Sequence, residues 1–302
     1  MKVFVTGATG FVGSAVVDEL VAAGHEVVGL ARSDAGAAAV TAAGAQVRRG
    51  DLADLDGLRE AAAAADAVVH TAFVHDFAAF AASAETDRRA IEALGGALVG
   101  SDRPLVVSAG TAGLAVGRLA TEDDVPGEGS PRVSEQTALA FADRGVRAIA
   151  LRLPPSVHGE GDHGFVPHTI DIARAAGVSG HPGDGSQRWP SVHRRDAARA
   201  YRLAIESAPA GTRLHAVHDE GVPVRAIAEV IGRHLDVPVA AIPAERVEEH
   251  FGWIGMFLGL DMAATGARTR ELLGWTPTEV GLLADLEAGH YFRETATSAM
   301  RG

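Results

Sequence analysis

The chain has 302 residues, 47% of them hydrophobic, and a formal charge of −12. That length supports one large α/β domain with an appended lobe, or two domains, and the apolar content excludes a disordered chain. The acidic balance excludes the basic face of a nucleic-acid binder, and the absence of cysteine excludes disulfides, thiolate catalysis and zinc–cysteine sites. No signal-peptide pattern opens the sequence, and no run of about 18 apolar residues would span a membrane. A soluble cytoplasmic protein with a small-molecule substrate is the expectation.

In chain order, Lys2–Thr6 reads as an apolar strand, followed by the turn VTGATGFVG and a helix over Ser14–Ala23 that stops at Gly24. Strands follow at His25–Leu30 and Gln46–Arg48. A helix at Leu55–Ala65, a strand at Ala67–Thr71, a helix at Ala82–Leu98 and a strand at Pro104–Ser108 come next. Ser134–Arg144 reads as a helix and Arg147–Leu151 as a strand. Alternation of this kind predicts parallel βαβ units, hence an α/β fold with a Rossmann-type doubly wound sheet. Residues 159–164 and 180–185 read as glycine-rich loops. Helices are expected at Asp196–Ser207, Val222–Leu235 and Arg268–Leu273, and a late strand at Thr212–Val217. The expected organisation is a dinucleotide-binding domain over 1–158 and a smaller substrate lobe over 159–302. Segments within about 185–217 are expected to return to the first domain.

Gly7, Gly10 and Gly13 follow a strand and open a helix, with Thr9, Phe11 and Val12 completing the turn. In that context the glycines permit a tight turn, close approach to a pyrophosphate and close helix–strand packing. The second strand ends Leu30-Ala31-Arg32-Ser33, without the carboxylate that would take an adenosine ribose 2′-OH. Arg32 can pair with a 2′-phosphate and Ser33 can donate to it, so NADP(H) is the expected cofactor. Asp51 is placed to accept from the adenine amino group; its structural alternative is a helix N-cap.

These segments resemble the extended short-chain dehydrogenase/reductase superfamily, the NAD-dependent epimerase/dehydratase group, over nearly the whole chain. The glycine pattern TGATGFVG, Gly50-Asp51-Leu52, His70-Thr71-Ala72 and Leu151–Gly159 carry the resemblance. So do Gly183-Asp184-Gly185, Ser191–Ala198 and Leu273-Gly274-Trp275-Thr276-Pro277. The resemblance implies that Leu52, Thr71, Ala72, Phe73, Pro154 and Val157 lie along the cofactor. It also makes a homodimer through helices of the main domain plausible.

One departure matters. The family's Tyr-x-x-x-Lys pair is missing, because the only lysine is Lys2, and Tyr201 and Tyr291 are followed four residues on by Ile205 and Thr295. Counting back from the following strand places the missing tyrosine between about Gly127 and Arg132. Arg132 could supply positive charge there but is a poor proton donor. Ser134 and Glu135 read first as an N-cap and a first-turn acid. The resemblance places the family's catalytic hydroxyl just after the fifth strand, at Thr111 or at Ser108. His75, beside Asp76, is a candidate proton donor. For His158, near the nicotinamide end, packing is the expected role. No metal-ligand spacing and no G-x-S-x-G occur. The apolar segment His250–Leu258 would favour an apolar or bulky substrate.

These observations lead to an NADPH-dependent reductase of a carbonyl or imine, acting without the usual Tyr/Lys pair. The alternatives are a non-catalytic NADP(H) sensor and a sugar-nucleotide epimerase or dehydratase.

Overall fold

A computed structural model describes residues 1–74, 79–127 and 132–293. The chain runs β1 (Lys2–Thr6), α1 (Phe11–Ala22), β2 (Glu26–Ala31), α2 (Asp34–Ala42), β3 (Gln46–Arg49), α3 (Leu55–Ala63), β4 (Ala67–His70), α4 (Phe80–Leu98), β5 (Pro104–Gly110), α5 (Ser134–Leu139) and β6 (Arg147–Leu153). It continues β7 (Ser156–His158), α6 (Phe165–Ala176), β8 (Ser179–Pro182), β9 (Arg188–His193), α7 (Arg194–Ser207), β10 (Thr212–His215), β11 (Asp219–Pro223) and α8 (Val224–Leu235). The last elements are β12 (Val239–Ile242), α9 (Val247–Phe251), α10 (Gly255–Leu258), α11 (Ala267–Leu273) and α12 (Leu282–Glu287).

Seven parallel strands form the main sheet in the order β10-β6-β5-β4-β1-β2-β3. Both faces are covered, so the strands are apolar on both sides. In β1, Val3 and Val5 point to the face packed by Val16, Leu20, Ala197 and Ile205 of α1 and α7. Phe4 points to the other, against Leu58, Ile91, Leu94 and Leu98 of α3 and α4. The α/β class and the doubly wound sheet are as the sequence predicts. β7, β9 and β11 form a second small sheet, and β8 pairs with β12 in a third. β10 lies at the edge of the main sheet beside β6.

Several elements differ from expectation. Helix α2 is additional: Ser33 caps it by accepting from the Gly36 N–H at 3.1 Å. The expected helix over Ser134–Arg144 stops at Leu139 and passes into a 3-10 turn at Ala142–Arg144. The break lets Phe141 turn inward onto Gly95, where a side chain would lie only 2.7 Å from the ring. The glycine-rich stretch 180–185 begins as strand β8, because its backbone pairs with β12.

A buried ion network ties the 120s segment to the sheet. Arg152, fully buried on β6, makes a bidentate pair with Glu135 at 2.6 and 2.7 Å. Glu135 also accepts from Arg213 Nε at 2.6 Å. This first-turn acid of α5 is therefore also the hub of a buried network. Arg152 further donates to the Asp124 carbonyl at 2.8 Å and to His215 Nε2 at 3.1 Å. His215 Nδ1 donates to the Thr265 carbonyl at 2.7 Å, which fixes the neutral tautomer.

Two outcomes follow. Glu135→Ala should cost about 3–5 kcal/mol in urea unfolding, because it leaves a buried guanidinium without its carboxylate. Burial holds both His193 and His215 below their usual 6.5. The unfolded chain then takes up these protons first, so the neutral forms contribute stability that is complete above that value and lost as pH falls below it. Urea midpoints across about pH 5 to 8 should show this loss on the acid side, and His215→Gln should reduce it.

Candidate active site at the carboxyl ends of the strands

The strand order reverses between β1 and β4, so the chain leaves β1 and β4 to opposite sides and opens a crevice above their carboxyl ends. The glycine turn sits at that point. Gly7 has φ +71°, and a side chain there would come within 2.6 Å of the Ala72 amide. A methyl at Gly13 would stand 1.9 Å from the Gly7 carbonyl. Gly10 is the N-cap of α1, no side chain caps it, and the first turn holds no acid. Thr9 and Gly10 are exposed, while Phe11 and Val12 are half-buried. This uncapped helix N-terminus above a glycine turn fits a pyrophosphate.

Arg32 and Ser33 lie exposed just after β2. Ser33 Oγ accepts from Gly36 and keeps its proton for donation. The neighbouring Asp34 pairs with Arg49 at 2.7 Å. Asp51 accepts from the Ala53 N–H at 2.7 Å, and the cap of α3 is Asp54 instead. Leu52 is buried against Leu30. Thr71, Ala72 and Phe73 follow β4 as a half-buried wall, with the Thr71 hydroxyl donating to the Thr6 carbonyl at 2.8 Å. Pro154 is buried just past β6, and Val157 is half-buried in β7.

The end of β5 carries the polar groups. Ser108 Oγ donates to the His70 carbonyl at 2.9 Å and lies 2.6 Å from the Tyr201 hydroxyl. Burial pushes the Tyr201 phenol well above its usual value, so it stays protonated and donates to Ser108. The Ser108 hydroxyl is thereby occupied on both sides. Thr111 is 1% exposed, and its hydroxyl has no hydrogen-bond partner among the described residues. Arg132 donates through Nη2 to the Ser108 carbonyl at 3.1 Å and through Nε to Ser134 Oγ at 3.0 Å. Its guanidinium lies 4.1 Å from the centre of the Phe73 ring. His75 lies outside the described residues.

Ser134 is not the N-cap that sequence suggests. Val133 occupies that position, and Ser134 donates to Asp87 Oδ2 at 2.5 Å. Asp87 also binds His70 Nε2 at 3.0 Å, and His70 Nδ1 meets Thr6 Oγ1 at 2.7 Å. Thr6 and Asp87 were not among the sequence candidates, and His70 stood only inside a motif. The available signal was an aspartate within the apolar stripe Ala84, Ala90, Ile91, Leu94 of α4. His158 is fully buried, with Nδ1 2.9 Å from Asp285 Oδ2. Among the described residues no group of three or more side chains could hold a metal, and no helix is long and apolar enough to cross a membrane.

A sequence profile of the NAD dependent epimerase/dehydratase family matches residues 3–99. An uncharacterized protein of Schizosaccharomyces pombe is 48% identical over 97% of this chain and all of its own. A 2-alkyl-3-oxoalkanoate reductase of Stenotrophomonas maltophilia is 32% identical over 82% of this chain and 78% of its own. The chain belongs to the NAD-dependent epimerase/dehydratase family. It is an NAD(P)-dependent oxidoreductase, as the glycine turn and the ordered segments of the sequence imply. A solved dTDP-glucose 4,6-dehydratase of Streptomyces venezuelae, with NAD bound, matches 99% of the enzyme and 98% of its own chain. The TM-score is 0.78 at 22% identity, so the two share the fold.

The partnerless hydroxyl gives a direct check. Thr111→Val swaps it for a methyl group, and unfolding in urea should show stability unchanged within about 1 kcal/mol, or raised. A loss of about 2 kcal/mol or more would mean that the hydroxyl is bonded in solution.

Proposed function

We propose that the enzyme uses NADPH to reduce a carbonyl, or an imine, of a small apolar or bulky substrate. The observation that carries this reading is the Thr111 hydroxyl, buried just past β5 without a hydrogen-bond partner among the described residues. A buried hydroxyl of this kind is costly unless something else completes it, and a substrate oxygen would do so. Arg132, anchored on the Ser108 carbonyl, brings positive charge to the same strand end, where it would stabilise negative charge developing on that oxygen. Bound nicotinamide supplies the hydride. The proton for the oxygen comes from His75 or from a water.

An apolar substrate is supported by an aromatic cluster beside the crevice. His163 meets the edge of Phe11, the residue after Gly10, at 5.8 Å between centroids. Two residues on, Phe165 contacts Trp189, Trp253 and Phe257 at 5.6, 5.6 and 5.3 Å. Trp253 of this cluster is exposed, as is Met256. The ketone-reducing relative of S. maltophilia supports the same chemistry. The missing Tyr-x-x-x-Lys pair favours a second reading, a cofactor-binding sensor without turnover.

The test is NADPH oxidation against ketones, aldehydes and imines, with NADH in parallel. Turnover preferring NADPH is expected. Arg32→Ala should weaken NADPH about 10–100-fold, one charge-assisted contact, and leave NADH within about twofold. Equal use of NADH would overturn the cofactor assignment, and tight NADPH binding without turnover on any class would favour the sensor. Thr111→Val should lower kcat about 100-fold, as loss of one oxyanion donor does.

A further inference from the structure

Thr6 and His70 stand opposite each other in the pairing of β1 with β4, at the reversal of strand order. From there an unbroken hydrogen-bonded series runs through Asp87 and Ser134 to Arg132. His70, Asp87 and Ser134 are each 2% exposed or less. Bulk solvent therefore does not compete for their bonds, and each partner's polarity dictates the next.

An ionised carboxylate only accepts, so Asp87 takes the His70 Nε2–H and the Ser134 O–H. With its proton committed to Asp87, Ser134 can offer Arg132 only a lone pair, which fits the observed Nε–H···Oγ contact of 3.0 Å. Burial raises the Asp87 carboxyl, but donation from His70 and Ser134 outweighs it and holds the group below its usual value. An asparagine at 87 would leave one acceptor oxygen for the two donors, His70 and Ser134, so the Ser134 rotor and with it one anchor of the guanidinium plane would no longer be fixed. Among the described residues the Ser108 carbonyl and the Phe73 ring also anchor it. Phe73 directly follows Ala72, which closes over Gly7, so the series and the cofactor cradle share one wall.

We propose that Asp87, with His70 and Ser134, positions the Arg132 guanidinium at the reacting end of the crevice and affects turnover only through Arg132. This rests on the reductase reading given above, but it has a readout of its own.

The experiment is a double-mutant cycle in the cofactor-loaded enzyme, on whichever carbonyl substrate turns over. Asp87→Asn should lower kcat about 10–100-fold, the effect of a misaligned group, with KM for NADPH within about twofold. Arg132→Ala should lower kcat at least as much, and the double variant no further, because the two act as one unit. Additive losses would overturn the proposal, as would a normal kcat in a folded but less stable Asp87→Asn. If Asp87→Asn does not fold, Ser134→Ala enters the same cycle, with Ser134→Thr restoring kcat. The readout independent of substrate is NMR of ¹⁵N-arginine-labelled enzyme with NADP⁺ bound, the Arg132 signal being assigned by its loss in Arg132→Lys. The Arg132 Nε–H should be protected from exchange, and Ser134→Ala should abolish that protection. Protection retained in Ser134→Ala would overturn the proposal even if no substrate is found, and such a lack of turnover would count against the reductase reading alone.

Discussion

Helix α1 comes down on the first turn so closely that a single methyl at Gly13 would collide with the Gly7 carbonyl. That approach sets the rest of the site. It aims the first turn of α1 at the crevice, with Gly10 as a cap that contributes no side chain. It also draws Thr71 and Ala72 against Gly7, which fixes how β4 leaves the sheet next to β1. The reversal of strand order then falls where Thr6 and His70 face each other, and the polar series to Arg132 starts from that pair. Three glycines thus position a cradle, and the pairing of β1 with β4 positions the groups beside it.

Helix α5 is the second determinant. It is only six residues long, too short to hold itself by backbone bonds alone. Two consecutive side chains pin it in different directions: Ser134 to Asp87 of α4, Glu135 to Arg152 and Arg213 of the sheet. Arg132, just before the helix, is held as a consequence. Each of these carboxylates would be costly to bury alone, and each is matched by at least two donors. The price of burying charge here is offset by specifying where a cation stands.

The sheet and the cradle were legible in the sequence because both rest on local signals. Apolar runs alternate with helical periodicity, and Gly7, Gly10 and Gly13 sit between a strand and a helix. Helix α2 was missed although Ser33 was in view: its alanine-rich run carries little apolar contrast, so periodicity says little. Ser134 read as a cap because local propensity favours that role, and a tertiary partner 47 positions away overrode it. Asp87 shows in the sequence only as an aspartate within an apolar stripe, with its partner Ser134 out of local view. An aspartate on a helix reads as solvated until folding closes α5 over it. The candidate hydroxyls could be listed from their position at the end of β5, but it takes Tyr201, 93 residues further on, to mark Ser108 as occupied, while Thr111 has no partner among the described residues.

On the proposed reading, replacing a lysine–tyrosine pair by an arginine changes how the work is divided. A lysine can lower the pKa of a neighbouring phenol and so couple charge to proton transfer; an arginine stays charged and cannot give up its proton near neutral pH. Arg132 would then stabilise charge on the substrate oxygen without being the source of its proton. Ser108 cannot supply that proton either, because its single hydrogen is committed to the His70 carbonyl while the oxygen accepts from Tyr201. Thr111 can orient the oxygen, but as an alcohol it would need its own proton restored. Electrostatic stabilisation and proton delivery would therefore come from separate groups, with delivery from the open side of the crevice. Such a site gains fixed geometry from a cation that never titrates and loses the tuned acid, so its acceleration would rest on orientation beside the hydride donor.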